Sequence, residues 1–165
     1  MAVTLQLLHV PNSLIAQAIQ DPLVMQKVVS FDIEANRAYA DFGWFTEIVK
    51  RIAPEMRLSL ETTSIIDVAL GGYRMAAKGD DFDVYSDIRT SDSEVVAEVS
   101  RCLDQAEIQS CLSDVSEENI STLLAKDLWD NVGSPLAYLR AEFKRLREFY
   151  DSAVKEDHGV LIWWD

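Results

Sequence analysis

The chain has 165 residues, 48% of them hydrophobic and 26% charged, and its formal net charge is −13 at pH 7. This length predicts one domain spanning residues 1–165, and the composition is that of a globular rather than a disordered protein. The acidic balance disfavours nucleic acid and anionic membranes as partners, because binding to phosphate groups requires clustered Lys and Arg side chains. It suits a basic protein partner instead.

Export and membrane insertion are also disfavoured. The apolar run at Met1–Leu5 is short and has no basic residue ahead of it. No stretch approaches the roughly 18 apolar residues that can cross a bilayer. The two cysteines, Cys102 and Cys111, are too few for a disulfide framework. We therefore expect a soluble cytoplasmic protein with reduced thiols and no membrane segment.

In chain order, the first half predicts one strand followed by four helices. Apolar and polar residues alternate within Val3–His9, as in a strand with one buried face. Asp21 followed by Pro22 favours a helix start, because Asp caps free N–H groups and Pro fits the first turn. Gly71-Gly72 is typical of a helix end. A phosphate-binding loop is the alternative interpretation, but the Lys and the Ser or Thr of that motif are missing. The predicted helices cover 14–19, 22–29, 42–53 (ended by Pro54) and 59–70 (with Leu60 facing inward).

An aromatic cluster of Phe42, Trp44 and Phe45 opens the third of these helices. Aromatic side chains dominate the interiors of small domains, so core packing is the first interpretation. The alternative is an exposed anchor for a protein partner.

The acidity is concentrated in the middle third of the chain. Residues 80–134 hold 14 acidic and 3 basic side chains, a balance of −11. One interpretation is a set of solvated helix faces and loops. The other is a surface that attracts a basic partner. The candidate residues for that surface are Asp80, Asp81, Asp83, Asp87, Asp92 and Glu98.

A calcium loop in this region is disfavoured by its spacing. Counting from Asp81, the sixth and twelfth positions are Ser86 and Asp92, where such a loop requires Gly and Glu. Residues 78–88 instead predict a loop with a short strand at Phe82–Tyr85. Ser91 and Glu94 form a capping box that starts a helix, and shorter helices follow over 108–112 and 116–129.

The last part of the chain, Pro135–Asp165, predicts a long helix and a terminal strand. Ser134 is its cap. A stripe at spacings of three and four marks the buried side of the helix: Leu136, Leu139, Phe143, Leu146, Tyr150 and Ala153. Glu142 falls on the opposite, polar face. Lys144–Glu148 and Arg147–Asp151 are expected i,i+4 ion pairs. A turn at His158-Gly159 leads into an apolar strand over 160–164.

This C-terminal block resembles the YfbM-like family, bacterial proteins of a domain of unknown function. The resemblance rests on a helix carrying the Phe149-Tyr150 pair, then Ala153, a polar turn and the strand at 159–164. The helix that starts at Ser91 is similar too, as is the segment 3–21. The family implies an α+β domain, but no reaction, cofactor or catalytic residue. Many members carry a Trp and a His before the Gly stop; this chain has neither there.

No motif for catalysis, cofactor binding or metal binding occurs in the sequence. Its two histidines, His9 and His158, are predicted to be ordinary polar positions, one after a strand and one in a turn. We therefore expect a non-enzymatic binding or immunity-type protein that presents residues 80–134. One alternative is an enzyme with Asp or Glu acid–base residues and a cleft near Gly71-Gly72. The other is a structural homodimer that pairs through an aromatic patch including Trp44 or Trp129. The protein is thus expected to be a monomer or a homodimer. The predicted fold is α+β, with a small sheet holding both terminal strands, wrapped by about six helices.

Overall fold

The structure, a computed structural model, describes residues 3–32, 38–104, 107–124 and 133–165. Its five strands are β1 (Leu5–Pro11), β2 (Ala38–Gly43), β3 (Arg74–Ala77), β4 (Ile88–Ser91) and β5 (His158–Trp164). The α-helices in these ranges are α1 (Asn12–Gln20), α2 (Pro22–Val29), α3 (Phe45–Met56), α4 (Leu60–Gly71), α5 (Ser93–Leu103), α6 (Glu107–Asp114), α7 (Glu117–Leu124) and α8 (Pro135–Lys155). A 3-10 turn covers Gly79–Phe82.

The strands form one antiparallel sheet in the order β2-β1-β5-β4-β3. β1 and β5 are its central pair, in a register that runs from Leu5 opposite Trp164 to Pro11 opposite His158. Both strands are buried on two faces, whereas the alternation in β1 predicted one buried face. The second face of β1 includes the buried polar residues Gln6 and His9, while β5 has an unbroken apolar run over 160–164. The predicted α+β fold, with both terminal strands adjacent in one sheet, is confirmed.

The sheet separates two hydrophobic clusters. On one face, Leu7 and Ile162 contact the cluster formed by helices α3 to α8. On the other face, Leu8 and Trp163 pack against residues of α1 and α2. Burial of apolar surface on both faces contributes about 25 cal/mol per Å² and is the main force that holds the layers together.

Helix α8 follows the sequence prediction closely. The Oγ of Ser134 accepts the N–H of Ala137 at 3.0 Å, as expected for the cap. Five residues of the predicted stripe are fully or almost fully buried: Leu139, Phe143, Leu146, Tyr150 and Ala153. Inside this interior, the Tyr150 hydroxyl donates to the carbonyl of Ala69 in α4 at 2.7 Å. None of the helices in the described ranges combines the length and apolar character that a membrane crossing requires.

The polar face of α8 differs from the prediction. Glu142 is 7% exposed rather than solvated, because β2 lies beside it. Both of its carboxylate oxygens accept from Arg145 Nη1 at 2.9 Å, and Arg145 Nη2 donates to the Asp41 carbonyl at 2.8 Å. The predicted Lys144–Glu148 pair forms at 3.7 Å. Arg147, by contrast, pairs with Asp104, the residue that follows α5, at 3.9 Å rather than with Asp151.

Three strands were missed by sequence reasoning. β2 contains Phe42, which we expected to open a helix, and α3 begins only at Phe45. β3 follows the Gly71-Gly72 stop without any periodic signal. The strand expected at Phe82–Tyr85 is a 3-10 turn and a bend, while the actual strand is β4. β3 and β4 have four residues each, too few to show a period of two.

Three local signals were also misplaced. Asp92, not Ser91, caps α5, because Ser91 is still the last residue of β4. Pro54 lies inside α3, which continues to Met56 and is followed by Arg57 in the left-handed conformation. Leu60 is 88% exposed, since it is the first residue of α4 and precedes the buried face of that helix.

Candidate functional site

An anchored loop, residues 79–87, carries four of the six acidic side chains predicted to bind a partner. This acidic loop joins β3 to β4. Phe82 and Val84 bury their side chains in the cluster under α1 and α2. The N–H of Tyr85 donates to the carbonyl of Trp164 at 2.9 Å, which ties the loop to the end of the central strand. The loop is therefore fixed by both core packing and hydrogen bonding.

Gly79 determines how the acidic loop folds back on itself. A Cβ at this position would lie 2.0 Å from the carbonyl oxygen of Ser86, so only glycine allows the backbones to approach this closely. The Gly79 N–H donates to Asp87 Oδ1 at 3.3 Å, and the Val84 N–H donates to the Gly79 carbonyl at 3.3 Å. Asp87 thus closes the loop as well as adding charge.

The other three carboxylates of the acidic loop point to solvent. Asp80, Asp81 and Asp83 are exposed. None of them forms an ion pair within the described ranges, and neither does Lys78, the base that precedes the loop. Asp83 has a φ of 58°, a left-handed conformation that Asp and Asn tolerate better than other non-glycine residues. The result is a concentration of uncompensated negative charge on an ordered backbone.

Asp92 and Glu98 lie apart from the acidic loop. The whole of β4 separates Asp92 from Asp87, about 17 Å for five residue steps at the usual rise of a strand. Asp92 caps α5 by accepting the N–H of Val95 at 3.1 Å, so part of its hydrogen-bonding capacity serves the helix. Glu98 is exposed on the outer face of α5. The structure thus brings Asp80, Asp81, Asp83 and Asp87 onto one loop, and places the other two candidates elsewhere.

Some acidic residues of the middle third have structural roles. Glu107 of α6 accepts from the Thr62 hydroxyl and from the Ser59 N–H, at the start of α4. These hydrogen bonds, that from Thr62 first, lower the pKa of the Glu107 carboxyl because they favour its charged form. Asp127 and Asp130, like Trp129, fall outside the described residues.

A pocket of about 330 Å³ opens beside the acidic loop. It is lined by Asp83, Val84, Tyr85 and Asp165. Tyr85 is 61% exposed, so its ring and two carboxylates face the same solvent-filled space. Carboxylates beside an aromatic ring are complementary to the ammonium of Lys or the guanidinium of Arg.

A second concave region, the Trp164 groove, lies where α3, α4 and the end of β5 meet. It consists of three adjoining pockets of about 170, 270 and 230 Å³. Gly71 and Trp164 line the last two of these pockets, so the groove lies at the helix stop where the enzyme alternative placed a cleft. Its carboxylates, Asp67 and Asp87, line different pockets, and no His or Cys is among the residues that line it.

The two thiols do not form a reactive site. Cys102 is buried in α5, and burial raises the pKa of its thiol. Burial also raises the pKa of Cys111 on α6. Raised values keep both groups protonated at neutral pH and therefore weakly nucleophilic. Across the described ranges, no group of three or more His, Cys, Asp or Glu side chains is arranged to hold a metal ion.

The two histidines are a pair, which sequence reasoning did not anticipate. Their Nδ1 atoms lie 2.9 Å apart, although 149 residues separate them in the chain. His158 is the first residue of β5 rather than part of a turn, and His9 is in β1. Only the register between these strands brings them together, so no local signal could have revealed the contact.

Comparison with known proteins places the chain in a family. A family model described as a domain of unknown function, DUF1877, matches residues 1–163. The chain belongs to this DUF1877 family. One solved structure that it matches is described as "a Protein of Unknown Function YfbM from Escherichia coli". That match has a TM-score of 0.63 and 10% sequence identity, and it covers 98% of this chain and 99% of the YfbM chain.

The similarity to YfbM establishes the fold of this DUF1877 member. The sequence identity is too low for a function to be inferred from it. The resemblance first inferred from the C-terminal block is confirmed over almost the whole chain. The search of curated proteins found no match.

Proposed function

We propose that this protein is a non-enzymatic binding protein that recognises a basic protein partner through its acidic loop. The observation that carries the proposal is the anchored backbone of residues 79–87, which displays Asp80, Asp81 and Asp83 without compensating cations. Because the loop is already ordered, a partner would lose little affinity to the entropy of fixing it. A solvated acidic tail would lack this advantage.

The pocket beside the loop supports a basic rather than a merely polar partner. Asp83 and Asp165 provide carboxylates, and Tyr85 provides an exposed aromatic face. A Lys or Arg side chain entering the pocket would gain charge-assisted hydrogen bonds and a cation–π contact. Charge complementarity of this kind raises association rates and makes binding sensitive to salt.

This proposal defines the function as that of an immunity-type or inhibitor-type partner in the cytoplasm. It treats residues 1–165 as one domain, acting as a monomer or homodimer. Trp44 is 48% exposed and Tyr39, on the edge strand β2, is 44% exposed, which favours this side of the molecule for any homodimer contact. The acidic loop joins β3 to β4, whereas Tyr39 is on β2, on the other side of the central β1–β5 pair in the strand order.

A capture experiment with matched variants tests the proposal. The wild-type protein, D80N/D81N/D83N, and the control D114N/E117Q/E118Q would each be immobilised and exposed to lysate at low and high salt. Asn suits the left-handed conformation of residue 83, and the control removes the same charge from exposed positions of α6 and α7. We expect a basic protein to be retained by the wild type and the control at low salt only, and to be lost with the loop variant. Equal retention by all three proteins would contradict the proposal.

A further inference from the structure

We infer that the Trp164 groove binds a small organic molecule with a primary ammonium group on an apolar body. The ammonium site lies in the pocket that Thr46 and Asp67 line, apart from Asp80, Asp81 and Asp83, and the inference does not depend on a basic protein partner. It rests on the apolar lining, the uncompensated charge and one unsatisfied buried hydroxyl, all found in the same pocket of about 270 Å³.

The walls of the groove are apolar and held by regular elements. Val49 lines the pocket from α3, Ile66 and Leu70 line it from α4, and Trp164 lines it from the end of β5. The pocket of about 170 Å³ continues this surface past Val49 and Ile66 toward Leu58. Together the two pockets reach the range of about 300–1,000 Å³ that is typical of small-molecule sites. Such a wall accommodates an aliphatic or aromatic body.

The charge of the groove favours a cationic ligand. Asp67 lines both pockets, is exposed, and forms no ion pair with any residue of the described ranges. Lys50 also lines them, but its Nζ lies 3.0 Å from Glu47 Oε1, so its charge is already compensated. The remaining charge in this part of the groove is therefore negative, and the Trp164 ring offers an additional cation–π surface.

Thr46 provides an independent indication of a ligand. The residue is 8% exposed, it lines the same pocket as Asp67, and its Oγ1 has no hydrogen-bond partner among the described residues. A buried hydroxyl without a partner costs about 1–3 kcal/mol, so it is rarely retained without a compensating contact. The Oγ1 is shielded from solvent, so a ligand would reach it after rotation of Thr46 about χ1. A primary ammonium has three N–H donors and could then donate to both Asp67 and Thr46. A tertiary or quaternary amine could not satisfy both.

The test uses three probes of matched size: 2-phenylethylammonium, neutral 2-phenylethanol and anionic 3-phenylpropionate. Each would be titrated into the ¹⁵N-labelled protein and followed by its amide and indole N–H resonances. We expect saturable shifts that centre on Thr46, Gly71 and Trp164 with the ammonium probe, and at least 10-fold weaker binding of the other two. Equal binding of the alcohol would show a merely apolar groove and would overturn the ammonium assignment. Preferential binding of the anion, or shifts scattered over the surface, would overturn it as well.

Variants separate the two polar contacts. We expect Asp67→Asn to weaken binding of the ammonium probe about 10-fold, and Thr46→Val to weaken it about threefold while the protein stays folded. Asp114→Asn, an exposed carboxylate on α6, is the matched control and should leave the affinity unchanged. Unchanged affinity in Asp67→Asn would exclude the site. A loss in Asp114→Asn equal to that in Asp67→Asn would show long-range attraction by net charge instead.

Discussion

His9 and His158 share a hydrogen bond between their Nδ1 atoms, 2.9 Å apart, across the central strands. His9 is buried, and its Nε2 has no hydrogen-bond partner among the residues that the structure describes. Only one Nδ1 can carry the proton of this bond. If His9 donates through Nδ1–H, its Nε2 is an unprotonated acceptor without a donor. If His9 accepts at Nδ1, its Nε2 carries a buried N–H without an acceptor, and leaving that donor unsatisfied costs more free energy. We therefore assign His9 as the donor through Nδ1–H, and His158 as the acceptor.

This arrangement predicts that stability falls as the pH is lowered. Burial, and then the nearby His158, lower the pKa of His9 to about 4, while Glu156 acts in the opposite direction. His9 takes up a proton near pH 6.5 in the unfolded chain, but only near pH 4 in the folded chain. Between these values the proton binds the unfolded state preferentially, so the folded state loses stability as the pH falls. We expect the free energy of unfolding to fall by about 2–3 kcal/mol from pH 7 to pH 4 through this group.

Urea unfolding of the wild type and of His9→Leu at several pH values would measure the effect. The variant changes packing at every pH, so the informative quantity is the slope of stability against pH. That slope should be shallower between pH 6.5 and 4 in the variant. Parallel curves for the two proteins would show that His9 does not titrate abnormally.

Gly79→Ala should disrupt the acidic loop. The new Cβ would lie 2.0 Å from the Ser86 carbonyl oxygen, so the backbone must move, and we expect a loss of about 2–4 kcal/mol in the free energy of unfolding. Gly71→Ala is the matched control, because no atom lies within 4 Å of its added Cβ and its φ is not in the left-handed region. That change should be neutral or stabilising by up to about 1 kcal/mol. Similar melting temperatures for the two variants would contradict the tight packing of the loop.

Arg145→Ala should destabilise the contact between α8 and β2. The change leaves the buried Glu142 carboxylate without its cation and removes the hydrogen bond to the Asp41 carbonyl. It also removes a guanidinium 4.9 Å from the centre of the Phe42 ring. We expect chemical denaturation to show a loss of about 2–3 kcal/mol in the free energy of unfolding, because removing one partner leaves the buried carboxylate charge without its cation.

Lys144→Ala provides the comparison for that variant. Its ion pair with Glu148 is exposed, with side-chain exposures of 65% and 58%, and should contribute less than about 0.5 kcal/mol. Equal effects of the two substitutions would mean that Glu142 is solvated.

Phe143→Ala should destabilise the core by about 3–5 kcal/mol. Phe143 is 3% exposed and its ring meets Phe45 edge to face at 5.0 Å, which joins α8 to α3. Leu60→Ala, at a side chain that is 88% exposed, should change stability by less than about 0.5 kcal/mol. A melting temperature of Phe143→Ala like that of the wild type would show that the stripe of α8 is not a core face.

The sequence reveals elements whose signals are local and repeated. The stripe from Leu139 to Ala153 extends over several turns, and the Asp21-Pro22 start is confirmed by a hydrogen bond from the Leu23 N–H to Asp21 Oδ1 at 2.9 Å. Short strands such as β4 lack enough residues to show a period. The burial of Glu142 depends on a strand about 100 residues away in the chain, so a helical wheel places it on the wrong side.

The two candidate functional regions, the acidic loop and the Trp164 groove, are even harder to predict from the sequence, because their residues are brought together by tertiary structure. The concentration of acidic residues was visible in the sequence, but the separation of Asp92 from the acidic loop follows from the position of β4. The Trp164 groove combines residues of α3, α4 and β5, and no spacing along the chain links Thr46, Asp67 and Trp164. The Gly71-Gly72 stop, near which the enzyme alternative placed a cleft, is the local feature that pointed to this region.

Calorimetric titration of the purified partner tests most directly whether the acidic loop is its binding site. Affinities would be measured for the wild type, D80N/D81N/D83N and D114N/E117Q/E118Q across a series of salt concentrations. We predict that the loop variant binds at least 10-fold more weakly and with a shallower salt dependence, while the control stays within about twofold of the wild type. Equal losses in the two variants would mean that net charge, rather than this loop, determines binding, and would contradict the proposed function.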